Sequence, residues 1–367
     1  MSVSSMNRIN LLEPTMDELT KKELLEVIDS GWWINGPKTK EFEEKFAEYV
    51  GAKYAVACNS ATSALDLCLK AYDIKGGELI TPSFTFVSDA LVGEWNGMDV
   101  TFADIDPRTF CLDSQSLKVT SETKAIIAVD CHGRLADIEA IREVCRPHKT
   151  LIIEDAAHAM YTPGAGSADI TVWSFQGVKT LPTGDGGMIT TNDESIVKKL
   201  RSLYWMGIEK MTYERVGDNG YTWDYDIKGP GVKAYMIDLT AVIGLGQLRR
   251  LEETNARRRF IQDWYNKAFI GHQWFKPPEP SHTVQYYTPE WKDRDGLCEF
   301  LACSGIHTSV HFKPLHLMTY WKKALKHPLP NTELVWTKLL SLPCHNALTN
   351  EQVLYIIKKV FEFYKHD

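Results

Sequence analysis

Seven short apolar runs, rich in valine and isoleucine, constrain the fold of this chain more than any other feature. They occupy residues 54–58, 78–81, 100–105, 125–129, 151–153, 170–173 and 188–191. Helical patterns lie between some of them, at 64–72 and 136–145. Because the runs lack strict polar–apolar alternation, we predict α/β architecture with a mostly parallel sheet that helices cover on both faces. A loop rich in glycine and proline joins the last two runs and is too short for a crossover helix, which predicts an antiparallel strand.

The remainder of the chain has a different character. The apolar periodicity predicts one long amphipathic helix over residues 238–269, and a segment rich in proline and polar residues follows at 277–288. We then predict a strand over 305–312 and a final amphipathic helix over 350–363. A boundary near residue 250 would divide the chain into a large domain, residues 1–250, and a small C-terminal domain, residues 251–367.

Composition excludes several classes of protein. The net charge of −7 argues against a general nucleic-acid-binding surface, although a local pocket can still be positive. The eight cysteines form no CxxC pair, so we expect free thiols in a reducing cytoplasm and no metal site. The amino terminus lacks the apolar region of a signal peptide, and no run approaches the roughly 20 apolar residues that span a bilayer. We therefore expect a cytoplasmic protein without a membrane partner.

Polar residues follow several of the predicted strands at their carboxyl ends. These residues are Asn59, Ser60, Ser83, Asp130, His132, Asp155 and Ser174. In open α/β sheets, ligands bind beyond the carboxyl ends of the strands. The convergence of polar side chains at one edge therefore predicts a binding site there.

Lys179 and Asp155 narrow the chemistry of that site. Asp155 ends an apolar strand, and Lys179 lies after another, just before the glycine-rich segment 184–187. A strand-end lysine taken alone is usually a surface residue. Together with a strand-end acid, however, it meets the needs of a pyridoxal phosphate enzyme. The amine binds the cofactor aldehyde as a Schiff base, and the carboxylate keeps the pyridine nitrogen protonated.

The segment after the first strand suits a phosphate group. Residues 59–63 lead into a helix that begins near Ala64, and a helix amino terminus offers unpaired N–H groups and a positive dipole end. On this segment alone, the alternative that Ser60 or Thr62 only caps the helix is equally good. For the cofactor ring, Phe84 or Phe86 could supply an aromatic cover, and His158 could bond the phenolic oxygen or stack near it.

Taken together, these segments resemble the DegT/DnrJ/EryC1/StrS family of sugar aminotransferases, a branch of the fold-type I pyridoxal phosphate enzymes. The resemblance covers nearly the whole chain, in order. It rests on residues 35–37, 41–43, 59–65, 81–86, 102–107, 154–158, 174–179, 184–187, 305–306, 310–316 and 341–343. It implies a large three-layer αβα domain with a mixed, mostly parallel seven-stranded sheet. An N-terminal arm and a smaller C-terminal α+β domain complete the expected fold.

The resemblance also implies roles for individual residues. Lys179 would be the Schiff-base lysine and the proton carrier. The cofactor would be held by Ser60, Ala61, Thr62, Phe86, Asp155, His158, Ser174, Lys179 and, from the partner of a homodimer with shared active sites, Lys233. The substrate would be contacted by Trp33, Asn35, His311, Lys313 and His316.

Three positions depart from the family pattern. Ala61 stands where glycine is usual, Asp185 where glutamate is commoner, and Lys233 where asparagine is more frequent. Lysine suits a dianionic phosphate, whereas the β-carbon of Ala61 restricts close approach of the backbone.

The implied reaction moves an amino group from an amino acid, with L-glutamate as the expected donor, to a keto-sugar that we expect to be nucleotide-linked. The alternative within the family is a pyridoxal phosphate-dependent sugar dehydratase. Members that became dehydratases carry histidine at the lysine position, so Lys179 favours transamination. A regulatory protein without turnover and a dinucleotide-binding oxidoreductase fit less well, because the catalytic residues are intact and no GxGxxG follows the first strand. The sequence leaves the sugar, its carbon and its nucleotide open.

Overall fold

A seven-stranded sheet forms the centre of the amino-terminal part of the chain. The structure is a computed structural model that describes residues 8–160, 162–210, 212–217, 220–221, 223–322 and 325–365. Residues 1–7, where we predicted the absence of a signal peptide, lie outside that part. The strands are β1 (Tyr54–Cys58), β2 (Glu78–Pro82), β3 (Asp99–Ala103), β4 (Thr123–Val129), β5 (Leu151–Asp155), β6 (Ile170–Ser174) and β7 (Gly187–Thr191). All seven predicted strands are therefore present.

The strand order across the sheet is β1-β7-β6-β5-β4-β2-β3. Strand β7 pairs antiparallel with both β1 and β6, whereas every other neighbouring pair is parallel. The expected antiparallel strand is therefore β7. Its register places Gly187 opposite both Cys58 and Ser174, so β7 begins at the edge where the other strands end.

Helices cover both faces of this sheet. The helices are α1 (Glu18–Ser30), α2 (Pro37–Val50), α3 (Ala61–Ala71), α4 (Ser88–Trp95), α5 (Ile138–Cys145), α6 (Glu194–Leu203), α7 (Asp238–Arg249), α8 (Leu251–Phe269), α9 (Arg294–Cys303), α10 (Pro330–Trp336) and α11 (Asn350–Phe363). Helices α3, α4 and α6 share a core with one face of the sheet. On the other face, α2 and α7 pack near β7 and α5 packs near β4. The predicted three-layer αβα arrangement is confirmed.

The prediction of one long helix over residues 238–269 is wrong. Helix α7 ends at Arg249, and Arg250 leaves the helical conformation with φ −103° and ψ 2° before α8 begins. The apolar period continues through this point, but beyond Leu251 the buried apolar residues of α8 belong to a different core from those of α7. Leu245 of α7 packs with the sheet, whereas Ile261 and Tyr265 of α8 belong to a second core. One straight helix could not satisfy both cores.

The predicted strand over residues 305–312 is also absent. Only isolated bridges form there, from Ile306 to Ile9 and from Ser309 to Ser341. Because the neighbours of this segment are single residues of two separate stretches of chain, no continuous ladder develops. The segment instead fastens the amino-terminal arm, since the Ile9 amide donates to the Gly305 carbonyl at 2.9 Å.

A second hydrophobic core lies in the carboxyl-terminal part of the chain. It joins α8, α9 and α11 to the short strands β10 (Phe275–Lys276) and β11 (Glu290–Trp291). Two further short strands, β8 (Val216–Gly217) and β9 (Gly220–Tyr221), pair with each other. The domain boundary near residue 250 stays a prediction. Among the described residues, no helix is both long and apolar enough to cross a membrane.

Glu43 of α2 stabilises β1, which lies at an edge of the sheet. Its buried carboxylate accepts the Ala57 amide at 2.7 Å and pairs with Arg201 at 2.7 Å. We expect Glu43→Ala to lower the free energy of unfolding by about 3 kcal/mol, because it leaves a buried donor and a guanidinium without their partner. Urea unfolding measures this change. Lys45→Ala, which removes an exposed ion pair on the same helix, should cost less than about 1 kcal/mol. Equal losses in the two variants would contradict the role of Glu43.

Candidate active site

Most of the predicted site residues line one cavity of about 610 Å³ at the carboxyl edge of the sheet. The predicted residues in its wall are Ser60, Ala61, Thr62, Phe86, Asp155, His158, Ser174, Lys179, His311 and Lys313. The volume falls within the range usual for small-molecule sites. Phe86 is 54% exposed, whereas Phe84 is fully buried, so of these two candidates Phe86 is the one open to a ligand.

The amino terminus of α3 forms one end of the cavity. Ser60 caps the helix, because its hydroxyl accepts the Ser63 amide at 3.1 Å. Capping and ligand contact are therefore compatible at Ser60, which also lines the cavity. The start of β7 lies against this helix end: a β-carbon on Gly187 would approach the Ala61 nitrogen to 2.6 Å. Glycine at position 187 thus lets the start of β7 pack directly against the backbone at the amino terminus of α3, beside Ala61.

Lys179 lies on the connection between β6 and β7, which folds back on itself. The Phe175 amide donates to Gly186 at 2.9 Å, and the Gly177 amide donates to Gly184 at 2.8 Å. A third bond, 2.8 Å from the Lys179 amide to the Gln176 carbonyl, forms the turn that carries the lysine. This ladder fixes the position of the lysine backbone relative to the sheet edge.

Gln285, which the sequence reasoning missed, holds the same turn from the carboxyl-terminal half of the chain. Its side chain is fully buried. The side-chain amide donates to the Val178 carbonyl at 2.8 Å and accepts the Thr180 hydroxyl at 2.8 Å. Because Val178 and Thr180 flank Lys179, Gln285 fastens the backbone on both sides of the lysine.

Burial controls the ionisation of the central pair. It lowers the pKa of the Lys179 amine to about 8, although the charge of Asp155 acts in the opposite direction. Burial also raises the pKa of Asp155, while the hydrogen bond from the Ala157 amide, at 2.9 Å, and the charge of Lys179 lower it. A lysine with this pKa is a neutral nucleophile in a substantial fraction of molecules near pH 8.

A wall of neutral rings faces the lysine. Burial lowers the pKa of His158 and of His132 well below the usual value, with the charge of Lys179 adding to the effect. His158 accepts the His132 amide on Nδ1 at 3.4 Å, which leaves Nε2–H as a donor. Its ring stacks on Phe312 with centroids 5.7 Å apart. This tautomer suits an acceptor such as a phenolic oxygen.

His311 belongs to the same wall and is also neutral. Burial, and then the charge of Lys179, lowers its pKa to about 3. Its Nδ1 bonds the Ser341 hydroxyl at 2.8 Å, and its ring stacks on Tyr286 with centroids 3.8 Å apart. Lys313, two residues further, is exposed and lines the cavity.

The structure does not place four predicted residues in the cavity wall. Lys233 is exposed, and its carbonyl accepts the Asn59 side chain at 3.4 Å. Trp33 is 50% exposed and donates to Ile28 at 3.0 Å, while Asn35 donates to Met236 at 3.2 Å.

His316, the fourth of them, is buried beneath the edge of the sheet. Its Nδ1 lies 2.7 Å from the Ser83 hydroxyl. His316 therefore supports the end of β2, and its predicted substrate contact has no counterpart in the described cavity.

Several lining residues had not been predicted, among them Tyr286, Phe312 and Gln176. Tyr286 lies in a segment that the sequence reasoning had described only as proline-rich and polar. Its aromatic pair, Tyr286-Tyr287, was the available signal. Gln176 lies inside the segment 174–179, between Ser174 and Lys179. The sequence pattern of that segment did not predict that the Gln176 side chain would be exposed. Among the described residues, no group of three or more histidine, cysteine or acidic side chains could hold a metal ion.

Comparison with known proteins gives this cavity a context. The sequence profile of the DegT/DnrJ/EryC1/StrS aminotransferase family matches residues 14–361. The chain is 37% identical over 366 residues to the spore coat polysaccharide biosynthesis protein SpsC of Bacillus subtilis, covering 94% of each chain. It is 34% identical over 374 residues to the GDP-perosamine synthase of Caulobacter vibrioides, covering 97% of this chain and 98% of that one.

Among solved structures, the chain resembles the putative sugar aminotransferase Spr1654 of Streptococcus pneumoniae in its PMP form. The TM-score is 0.88 at 29% identity, with coverage of 96% of this chain and 98% of the other. The fold-type I architecture is thereby confirmed. The roles of the individual cavity residues stay predictions.

The low pKa of Lys179 is directly measurable. We expect the rate at which an amine-specific reagent modifies Lys179 in ligand-free protein to rise with pH and reach half its maximum near pH 8, because only the neutral amine reacts. Peptide mass spectrometry at a series of pH values measures the rate. A lysine model peptide, with an ordinary pKa near 10.4, is the reference. Identical midpoints for the two would contradict the buried environment of Lys179.

Proposed function

This chain belongs to the DegT/DnrJ/EryC1/StrS aminotransferase family, and we propose that it transfers the amino group of L-glutamate to a nucleotide-linked keto-sugar, with pyridoxal phosphate as cofactor. One observation carries the proposal. A lysine of lowered pKa, an acid at the end of β5 and the amino terminus of α3 face the same cavity. The names of the relatives, a polysaccharide biosynthesis protein and a GDP-perosamine synthase, favour a place in amino-sugar biosynthesis. Such a reaction suits a cytoplasmic enzyme.

The described residues fit the three parts of the cofactor. The amino terminus of α3 at Ala61 and Thr62, with the hydroxyl of Ser174, offers donors for the phosphate. The close approach of Gly187 leaves that cradle clear of a β-carbon. Phe86 would cover the ring and Asp155 would pair with its nitrogen. Pyridoxal phosphate, when bound, supplies the electron sink that makes the α-proton of an amino acid removable.

The protein's own task is to hold and move protons around that group. Lys179 can take a proton only as the neutral amine, and burial makes this form available near pH 8. Asp155, which accepts the Ala157 amide, keeps its carboxylate at the cavity wall. His158, neutral and with Nε2–H free to donate, would bond the phenolic oxygen. Each of these residues therefore has one protonation state that suits its task.

The part of the cavity wall formed by Tyr286 and His311 suits a sugar. Tyr286 and His311 present stacked rings and polar edges without charge, which favours hydroxyl groups and the apolar faces of a pyranose. Lys313 is exposed and cationic, so it can meet the diphosphate of a nucleotide-linked substrate. The sugar itself, and the carbon that is aminated, are not specified by these contacts.

We also propose that two copies of the chain share their active sites. The residues of the phosphate cradle in one chain, Ser60, Ala61, Thr62 and Ser174, are all uncharged. A dianionic phosphate is better balanced by a cation, and Lys233 is an exposed candidate that does not line its own cavity. Supply of Lys233 by a partner subunit would provide that charge.

Removal of the proposed proton carrier tests the function. We expect both Lys179→Ala and Lys179→Arg to lose transamination by about 10³-fold or more, because neither side chain can form the covalent link and accept the proton. Mass spectrometry should follow ¹⁵N from labelled glutamate into keto-sugar nucleotides, and borohydride should fix the cofactor to the peptide that contains Lys179. Lys53→Ala, at an exposed lysine, is the matched control. Sugar turnover without transfer of ¹⁵N would identify a dehydratase instead.

Complementation tests the shared site. Lys233→Ala should weaken cofactor binding, and co-expression with Lys179→Ala should restore activity, since some mixed dimers contain one intact site. Lys228→Ala, an exposed change in the same stretch of chain, should bind the cofactor as the wild type does. Activity of the mixture no higher than that of the separate variants would exclude a contribution of Lys233 to the partner's site.

A further inference from the structure

Asp89 is a buried acid behind the cavity that none of the roles above includes. It lies in the first turn of α4, three residues after Phe86, and is fully buried. The Thr85 hydroxyl donates to its Oδ2. Its Oδ1 meets no donor among the described residues. An ionised carboxylate with a buried oxygen left without a donor is costly, so this environment favours the protonated acid.

Asp155, the neighbour of Asp89, is the acceptor for the proton of Asp89. Thr85, which bonds Asp89, and Ser88, which precedes it, line the same cavity as Asp155. A side-chain hydrogen bond between the two acids raises the pKa of Asp89 and lowers that of Asp155. Two buried carboxylates in contact cannot both be charged, so such a pair shares one proton. Burial, and then the charge of Asp155, raises the pKa of Asp89 well above its usual value. The proton therefore resides on Asp89, and Asp155 receives the hydrogen bond.

The other groups around the pair support this assignment. Lys179 is the cation that faces both acids, and it acts to lower the pKa of each. Glu154, adjacent to Asp155, accepts the backbone amides of Gly166 and Ser167 at 2.9 and 2.8 Å, and its charge raises the pKa of Asp155 in opposition to Lys179. Asp155 is thus held from two sides, by the Ala157 amide and by Asp89.

We propose that Asp89 is a positioning residue that donates a hydrogen bond to the Asp155 carboxylate and fixes the orientation in which Asp155 meets the pyridine nitrogen. The second half of this statement rests on the proposed function, whereas the hydrogen bond between the two acids does not. A carboxylic acid in this position also disperses the charge of Asp155 and so weakens its basicity. Asp89 would thereby tune how firmly the ring nitrogen keeps its proton.

The ligand-free protein tests the hydrogen bond without any cofactor. Asp89 has a pKa near 3.9 in the unfolded chain and a higher one in the fold, so folding retains a proton. Its contribution to stability is complete below about pH 4 and is lost as the pH rises through the folded pKa. Asp89→Asn keeps a neutral N–H donor and cannot ionise. We expect its urea midpoint, relative to that of the wild type, to increase as the pH rises above 4. Parallel profiles would overturn the shared proton.

Cofactor binding tests the positioning. We expect Asp89→Asn to bind pyridoxal phosphate within about threefold of the wild type and to keep its visible spectrum. Asp89→Leu, similar in size but without a donor, should weaken binding about tenfold or more and shift the pH at which the spectrum changes. Asp89→Ala, which also lacks a donor and is smaller, should weaken binding in the same way and serves if the leucine variant does not fold. Wild-type affinity in Asp89→Leu or Asp89→Ala, or equal damage in Asp89→Asn and in either of these variants, would overturn the proposal.

A second buried acid provides the control. Asp66 of α3 bonds Asn96 at 2.8 Å and lies outside the cavity wall. Asp66→Asn should alter stability and leave the affinity for pyridoxal phosphate unchanged. Should wild-type protein bind no pyridoxal phosphate, the proposed function fails, and the pH profile of the ligand-free protein still decides the hydrogen bond between Asp89 and Asp155.

Discussion

The antiparallel strand β7 is the constraint on which the candidate site depends. Because it pairs with both β1 and β6, it joins the strand that precedes the α3 helix to the strand that precedes Lys179. Its first residue, Gly187, packs against the backbone of Ser60 and Ala61. The amino terminus of α3, which we propose to bind a phosphate, and Lys179 are far apart in sequence and are thereby brought to one edge of the sheet. The position of the β6–β7 connection is fixed by backbone hydrogen bonds between its two halves, from Phe175 to Gly186 and from Gly177 to Gly184.

The site also depends on contacts from the second core. Gln285 fixes the turn around Lys179, and the Arg258 guanidinium, on α8, donates to the Val284 carbonyl at 3.1 Å. The segment that ends in the stacked Tyr286 is therefore held on one side by α8 and on the other by the lysine turn. Any displacement of the carboxyl-terminal part relative to the sheet would be transmitted to the backbone of Lys179 and to the wall that faces it. Cavity geometry and the packing of the two cores are thus coupled.

The strands and the residues at their carboxyl ends were predicted well because each depends on a local sequence pattern. Buried strands produce apolar runs, and a polar residue at the end of such a run, as at Asp155 or Ser174, must lie at the sheet edge. The break at Arg250 was missed because the apolar period continues across it, and only the division between two cores requires it. For a similar reason, the sequence did not predict that His316 lies beneath the sheet edge or that Tyr286 lines the cavity. Whether a side chain supports the sheet edge or lines the cavity depends on tertiary packing, which a motif does not encode.

The electrostatic pattern of the cavity links these features. Burial keeps His132, His158 and His311 neutral, so the aromatic wall contributes donors and acceptors without charge. The charge near the reacting centre is then set by Lys179 and by the two acids behind it. If Asp89 keeps its proton, Asp155 alone carries negative charge beside Lys179, and one anion faces one cation. The charges of Asp155 and Lys179 therefore neutralise each other within one chain. A phosphate at the amino terminus of α3, by contrast, would be met by N–H dipoles and hydroxyls of the described cavity wall and by no cation. That asymmetry is the physical reason to expect a cation from a second subunit at the phosphate and none at the ring.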